Sequence, residues 1–294
     1  MRTLEDKIRS RDFVVTTELT PPKGVDLTEL FEKAQSLAGW VDGINLTESA
    51  RALMAIAPWA AARLLLERGA EPIVQMTARD RNRIAIQADL LGAAALGVHN
   101  FVFMGGDPPS VGDQPEAKAV FDLTASQMAA AARELAQGRD LAGKPLRGAP
   151  RLFVGATANP GAQDFEAEVT NTRRKIDAGV QFLQTQAIYE PAVLARFLEA
   201  VRPGDVAVLA GIIPLKSAKM ARWLNEKVPG IRVPDPLIRV LEDAGTADAE
   251  LRASIDIAGR TLREIRPMCA GAHVMALGWE AHIPAILREG GLGR

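Results

Sequence analysis

A single (β/α)8 TIM barrel of the α/β class, spanning residues 1–294 as one domain, is the fold this sequence predicts. Three observations predict it. Eight short apolar runs alternate with longer stretches of helical period. The runs are apolar throughout rather than strictly alternating, as parallel strands buried on both faces must be. Polar residues collect where the runs end, on what would be one rim of the barrel. An open doubly wound sheet is the competing architecture, but its G-x-G-x-x-G signature is missing after the first run.

The first run, Phe13 to Thr17, ends in Glu18 and meets a Pro-Pro-Lys-Gly turn. A helix over Asp26 to Leu37 follows, with Asp26 as N-cap and Glu29 completing a capping box. The second run is Gly43 to Leu46. Ala50 to Arg68 then reads as helix, with Pro58 a kink or an internal start. The third run, Pro72 to Met76, precedes a helix from Arg81 to Leu96, and the fourth, Asn100 to Met104, is stopped by Gly-Gly-Asp-Pro-Pro. Ser110 to Ala119 is too rich in Gly, Pro and charge for packed structure, and so long a loop in a compact domain is usually functional or mobile.

A helix over Ser126 to Ala136 and a turn-rich segment lead to the fifth run, Arg151 to Ala156. Phe165 to Ala178 is helical, Gln181 to Thr185 is the sixth run, and Pro191 opens a helix to Val201 at the position proline favours. Val206 to Ala210 is the seventh run. Helices over Ser217 to Lys227, Pro236 to Ala244 and Ala247 to Arg266 precede the eighth, Ala272 to Ala276, and a short helix ends the chain.

Composition narrows the function. The chain is 48% hydrophobic and 24% charged, an ordinary globular balance that argues against disorder. Thirty-five Lys and Arg against 36 Asp and Glu leave a net charge of -1, which excludes partners held by bulk electrostatics, such as nucleic acid or an anionic membrane surface. The N-terminus has acidic residues and no apolar core of a signal peptide, and no apolar run approaches the roughly 20 residues of a membrane helix. A cytoplasmic location is expected, consistent with the lone cysteine, Cys269. His99, His273 and His282 lack metal-ligand spacing and read as structural or surface residues, so no metal is expected.

At the strand ends, Glu18 is the most informative residue. Burial of a carboxyl disfavours its charged form, which suits a general acid. The plainer reading is a structural glutamate bonded to backbone or to Lys23. Asp107, in Gly105-Gly106-Asp107-Pro108-Pro109, can accept from a heterocycle N–H or stabilise a cation, with an ordinary Asp-Pro turn as the alternative. Gln184 and Gln186 flank Thr185, and their amides can read both donor and acceptor edges of a ring. Thr47, Glu48, Gln75, Thr77, Asn159 and Lys216 complete the rim, and Lys216 admits an unrelated barrel lyase as a further reading.

Taken together these segments resemble the methylenetetrahydrofolate reductase family. The resemblance runs from about Val15 to Met275. Its pieces are Glu-Leu-Thr-Pro-Pro-Lys (18–23), Ile-Asn-Leu-Thr-Glu-Ser (44–49), Thr-Ala-Arg-Asp-Arg-Asn-Arg (77–83), Asp-Leu-Leu-Gly-Ala (89–93), Leu-Gly-Val-His-Asn (96–100) and Gly-Gly-Asp-Pro-Pro (105–109). They continue with Ala-Asn-Pro-Gly-Ala (158–162), Arg-Arg-Lys-Ile-Asp-Ala-Gly (173–179), Gln-Thr-Gln (184–186) and Gly-Ile-Ile-Pro-Leu (211–215). Order and spacing, rather than any one piece, make the likeness specific. It is closest to the reductase half of bifunctional homocysteine methyltransferase–reductases.

The resemblance implies a barrel that binds FAD at its C-terminal rim and reduces 5,10-methylenetetrahydrofolate to 5-methyltetrahydrofolate with NAD(P)H, or runs the reverse oxidation. By position, it makes Glu18 the general acid that opens the five-membered folate ring to an iminium. Asp107 would bind the pterin and stabilise that cation, and Gln184 and Gln186 would contact substrate. Thr47, Gln75, Thr77, Gly105, Asn159, Glu168 and Lys175 fall at or beside cofactor-binding positions. The chain departs from the family where many members carry a histidine at Gln75, an arginine at Gly105, a phenylalanine at Ala218 and an arginine at Trp279. These departures leave a flavin-less folate-binding or partner-dependent subunit as the alternative. A homo-oligomer and a protein partner in the one-carbon pathway are further expectations.

Overall fold

The computed structural model describes residues 2–293. Eight parallel strands close into a barrel in chain order. They are β1 (Val14–Leu19), β2 (Gly43–Leu46), β3 (Pro72–Thr77), β4 (Asn100–Met104), β5 (Phe153–Ala158), β6 (Phe182–Ala187), β7 (Ala207–Ile212) and β8 (Gly271–Val274). β8 pairs with β1, Thr16 lying beside His273, so no strand edge is left open. The helices are α1 (Leu4–Arg9), α2 (Thr28–Ser36), α3 (Pro58–Leu66), α4 (Arg83–Ala95), α5 (Ala125–Ala136), α6 (Phe165–Ala178), α7 (Pro191–Val201), α8 (Ala218–Lys227), α9 (Asp235–Glu242), α10 (Ala247–Ile265) and α11 (Ile283–Glu289). No helix among the described residues is long and apolar enough to cross a membrane.

Strand alternation divides the core. Outward residues such as Val15, Leu46, Val74, Phe101 and Leu183 pack under the helices. Inward residues Val14, Ile73, Val102, Phe153, Phe182 and Leu209 fill the lower barrel, and Leu4 of α1 joins them. Phe153 and Phe182 stack with centroids 5.1 Å apart. Gly155 makes room for them: a Cβ there would lie 2.6 Å from the Phe182 ring. Above this apolar floor the interior turns polar, with Thr16, Asn45, Gln184 and His273 all buried.

Several local expectations are corrected. Asp26 does not cap α2. Its Oδ1 accepts from the backbone N–H of Thr28 at 3.0 Å and from the Thr28 hydroxyl at 2.7 Å, and the N-cap, Leu27, has no side-chain bond. An Asx turn therefore replaces the expected capping box. The stretch from Ala50 is not continuous helix: a 3-10 turn at Ala50–Ala52, with positive φ at Ser49, Arg51 and Ala52, gives way to α3, which begins at Pro58. Proline at the first helical turn forfeits no hydrogen bond, so α3 starts there rather than kinking. The fifth and sixth strands run to Ala158 and Ala187, later than the apolar runs suggest.

Candidate functional site

The C-terminal mouth of the barrel holds a cavity of about 560 Å³, open to solvent at its rim. Glu18, Gln75, Gly105, Asp107, Asn159, Glu168, Lys175, Gln184 and Gln186 all line it, with His273 among them. Thr47 and Thr77 stand outside this lining.

Glu18 enters from the end of β1, its side chain 19% exposed. Its Oε2 accepts from Gln75 Nε2 at 3.4 Å, and His273 Nε2 stands 3.8 Å from the same oxygen, beyond hydrogen-bond distance. Lys23 is not its partner; the Lys23 ammonium pairs instead with Asp113 at 2.5 Å, tying the β1 loop to the loop after β4.

Asp107 comes from the β4 loop and is exposed. Beneath it Arg79, 3% exposed, donates to the Asp107 carbonyl at 3.2 Å and to Asp80 at 2.7 Å. The Asp107 carboxylate takes no hydrogen bond from any described residue, which leaves its oxygens to a ligand.

The two strand-six glutamines differ. Gln184 is held in a buried exchange with Asn45: Asn45 Nδ2 donates to Gln184 Oε1 at 2.7 Å, and Gln184 Nε2 donates back at 3.0 Å. Its second amide hydrogen goes to Thr16 Oγ1 at 3.2 Å. Both donors are therefore spent inside the barrel wall, and only a carbonyl lone pair remains. Gln186 is freer. Its Oε1 accepts from Ala187 N at 2.9 Å, while its Nε2 has no partner among the described residues. A register shift between β6 and β7 lies here, and irregularities of this kind re-aim side chains. The shift depends on Gly211, where a Cβ would lie 2.2 Å from the Thr185 carbonyl oxygen.

Strand five and α6 supply the far wall. Lys175 is 6% exposed and donates to the Thr157 carbonyl at 2.7 Å. Burial pulls its ammonium below the ordinary lysine range, and the charge of Glu168 works the other way. Glu168 accepts from Asn159 N at 2.9 Å and from the Thr172 hydroxyl at 3.2 Å. Asn159 Oδ1 is buried without a partner. The Thr77 hydroxyl and backbone N–H both donate to Glu48 Oε2, at 2.8 and 2.6 Å, and Arg81 pairs with the other Glu48 oxygen at 2.6 Å. Glu48 thus ties the end of β2 to the end of β3. Thr47 Oγ1 is buried with no hydrogen-bond partner. Lys216 bonds the Leu277 carbonyl and stands 5.8 Å from the Trp279 ring, away from the cavity lining. No cluster of three or more His, Cys, Asp or Glu suited to a metal exists among the described residues.

The residue that sequence reasoning missed is His273, read there as structural or surface. The signal was its place on the last strand, two positions before the cavity-lining Met275 and thus on the same face.

A family model described as Methylenetetrahydrofolate reductase matches residues 3–291. "Methylenetetrahydrofolate reductase 2" of Schizosaccharomyces pombe is 22% identical over 230 residues, covering 74% of this chain and 35% of that protein. The chain therefore spans about a third of that relative's length. Among solved structures, an uncharacterised Clostridium thermocellum protein that binds two copies of 5-methyl-5,6,7,8-tetrahydrofolic acid superposes with a TM-score of 0.67 at 18% identity, covering 96% of this chain and 97% of that one. EDTA monooxygenase from Chelativorans sp. BNC1 superposes with a TM-score of 0.58 at 11% identity over 96% of this chain and 95% of that one. At these identities the superpositions show the fold.

Proposed function

The chain belongs to the methylenetetrahydrofolate reductase family, and from that premise we propose that its barrel mouth reduces 5,10-methylenetetrahydrofolate to 5-methyltetrahydrofolate with NAD(P)H as electron source, or catalyses the reverse with NAD(P)+ as electron acceptor. The observation that carries this reading is that Glu18 and Asp107 line one cavity, with the free Gln186 amide on the same wall. The folate-bound Clostridium thermocellum neighbour supports a folate substrate.

Glu18 gives its proton to the ring nitrogen that must leave, N10. The methylene C–N10 bond breaks, and the methylene carbon stays on N5 as an iminium cation. Asp107 faces that cation with an unpaired carboxylate, and a fixed charge aimed at developing charge needs no reorganisation during the reaction. Hydride added to the iminium carbon completes the methyl group. Gln186 supplies donors to the edge of the ring and holds it in plane.

The residues present fit the FAD that the family implies. Lys175 offers a buried ammonium with hydrogens to spare beyond its one carbonyl bond, and Asn159 offers a buried oxygen without a partner. At Gly105 nothing lies within 4 Å of where a side chain would start, so the wall there is open. Lys175 and Asn159 would hold the group's phosphate and hydroxyl portions. When bound, FAD supplies the hydride passed on from NAD(P)H, and the barrel supplies alignment.

The test is product formation from 5,10-methylenetetrahydrofolate with NADH or NADPH, with and without added FAD. The reading expects 5-methyltetrahydrofolate from the wild-type chain and a loss of roughly 10²–10⁴-fold in Glu18→Gln, the range of a general acid. Folate binding without turnover under every combination, or undiminished turnover in Glu18→Gln, overturns it.

A further inference from the structure

The cavity floor contains a hydrogen-bonded chain whose polarity can be worked out atom by atom. Gln184 uses both amide hydrogens, one on Asn45 Oδ1 and one on Thr16 Oγ1. Thr16 Oγ1 therefore already accepts one bond. Its own hydrogen has two possible acceptors: His273 Nδ1 at 2.9 Å and the Ala272 carbonyl at 3.5 Å. The nearer takes it, because a hydroxyl bond at 3.5 Å is at the edge of the useful range. A hydroxyl that donates to Nδ1 requires that nitrogen to be bare. The ring proton of His273 is then on Nε2, the nitrogen 3.8 Å from Glu18 Oε2. Opposite polarity would need Thr16 Oγ1 to accept from both Gln184 and a His273 Nδ1–H, and to send its own hydrogen to the Ala272 carbonyl at 3.5 Å, the weaker of its two acceptors.

We propose that His273 is a positioning residue for the Glu18 acid: the Asn45–Gln184–Thr16 relay fixes its Nε2–H tautomer and aims that N–H at Glu18 Oε2. Gln75 donates to the same oxygen at 3.4 Å. With Gln75 donating to Oε2 and the His273 N–H turned toward it, the carboxyl proton is directed to Oε1, the oxygen left free for substrate. At 3.8 Å the His273 contact is longer than a hydrogen bond, and contacts of this kind tighten in the substrate complex. The role in turnover rests on the folate-reductase reading; the tautomer and the contact do not.

The experiment is a long-range proton–nitrogen NMR spectrum of the histidine rings in the purified chain at neutral pH, with no ligand. The chain has three histidines, and one is a built-in contrast. His99 Nδ1 faces the Arg151 carbonyl at 3.0 Å, an acceptor only, so that ring carries its proton on Nδ1. His273 is expected to show the opposite pattern, with a bare, hydrogen-bonded Nδ1 and a protonated Nε2. Glu18→Ala is expected to shift its Nε2 resonances and spare Nδ1. Thr16→Val is expected to unfix the tautomer and lower kcat by on the order of ten- to a hundredfold with little change in KM, and Thr16→Ser to restore both. A His273 protonated on Nδ1 or on both nitrogens, or Nε2 resonances indifferent to Glu18→Ala, overturns the proposal. If the spectrum is as expected and no variant turns over folate, the reductase reading fails while the relay and its contact with Glu18 stand. If turnover is present and Thr16→Val leaves kcat unchanged, the positioning role falls.

Discussion

Replacing Gln184 with leucine tests whether the polar floor is a satisfied network. Leucine keeps most of the side-chain volume and removes the amide. Asn45, 0% exposed, then loses partners for both Oδ1 and Nδ2, while Thr16 Oγ1 keeps His273. A buried polar group left unpaired costs about 1–3 kcal/mol, so two give roughly 2–6 kcal/mol. Improved burial of the leucine returns part of this, leaving a net loss of about 2 kcal/mol or more. Asn45→Leu is expected to cost a similar amount for the mirror-image reason. Together the two substitutions remove both partners, a change that can be nearly neutral. The double variant is therefore expected to be more stable than the sum of single losses implies, by at least about 1 kcal/mol of coupling. Urea denaturation followed by circular dichroism gives all four corners of the cycle. A double-variant loss equal to the sum, or a negligible loss in Gln184→Leu alone, refutes the reasoning.

Two further perturbations probe the rim. The Asp122 carboxylate, where the loop after β4 rejoins α4, accepts from Arg83 N, Nε and Nη2, and these bonds hold it down to about 2 against an ordinary 3.8. A folded value below the unfolded one means the anchor is at full strength above about pH 4 and is lost as pH falls through about 2; carbon NMR should find the Asp122 midpoint near the lower value and return it toward 3.8 in Arg83→Ala, and a wild-type midpoint near 3.8 contradicts this. Gly211→Ala would place its Cβ 2.2 Å from the Thr185 carbonyl oxygen, so overpacking should cost about 1–3 kcal/mol and lower Tm, with an unchanged Tm showing that the wall beside Gln186 is looser than described.

Much of the barrel is legible in the chain because a parallel strand buried on both faces must stay apolar until it leaves the sheet. The runs at Gly43–Leu46 and Asn100–Met104 coincide with β2 and β4 for this reason. Glu18 and Gln186 stand out because each is polar where such a run stops, and Gln75 because it interrupts one. What is not legible is how polar atoms pair across strands distant in sequence. Nothing local reveals that Gln184 spends its amide on Asn45, 139 positions away, or that Thr16 meets His273 across 257. Helix α1 escapes notice because six residues carry too little periodicity, although Thr3 and Asp6 form a complete capping box. The break before α3 follows from positive φ at Ser49, Arg51 and Ala52, none of them residues that advertise it.

The proposed chemistry needs a pteridine held between the Glu18 carboxyl and the Asp107 carboxylate, and a crystal structure of the chain soaked with 5-methyltetrahydrofolate measures that directly. The expected result is the ring in the barrel mouth, its edge on Gln186, with Glu18 and Asp107 both in contact. A folate bound elsewhere, or one in the mouth that touches neither carboxyl, contradicts it.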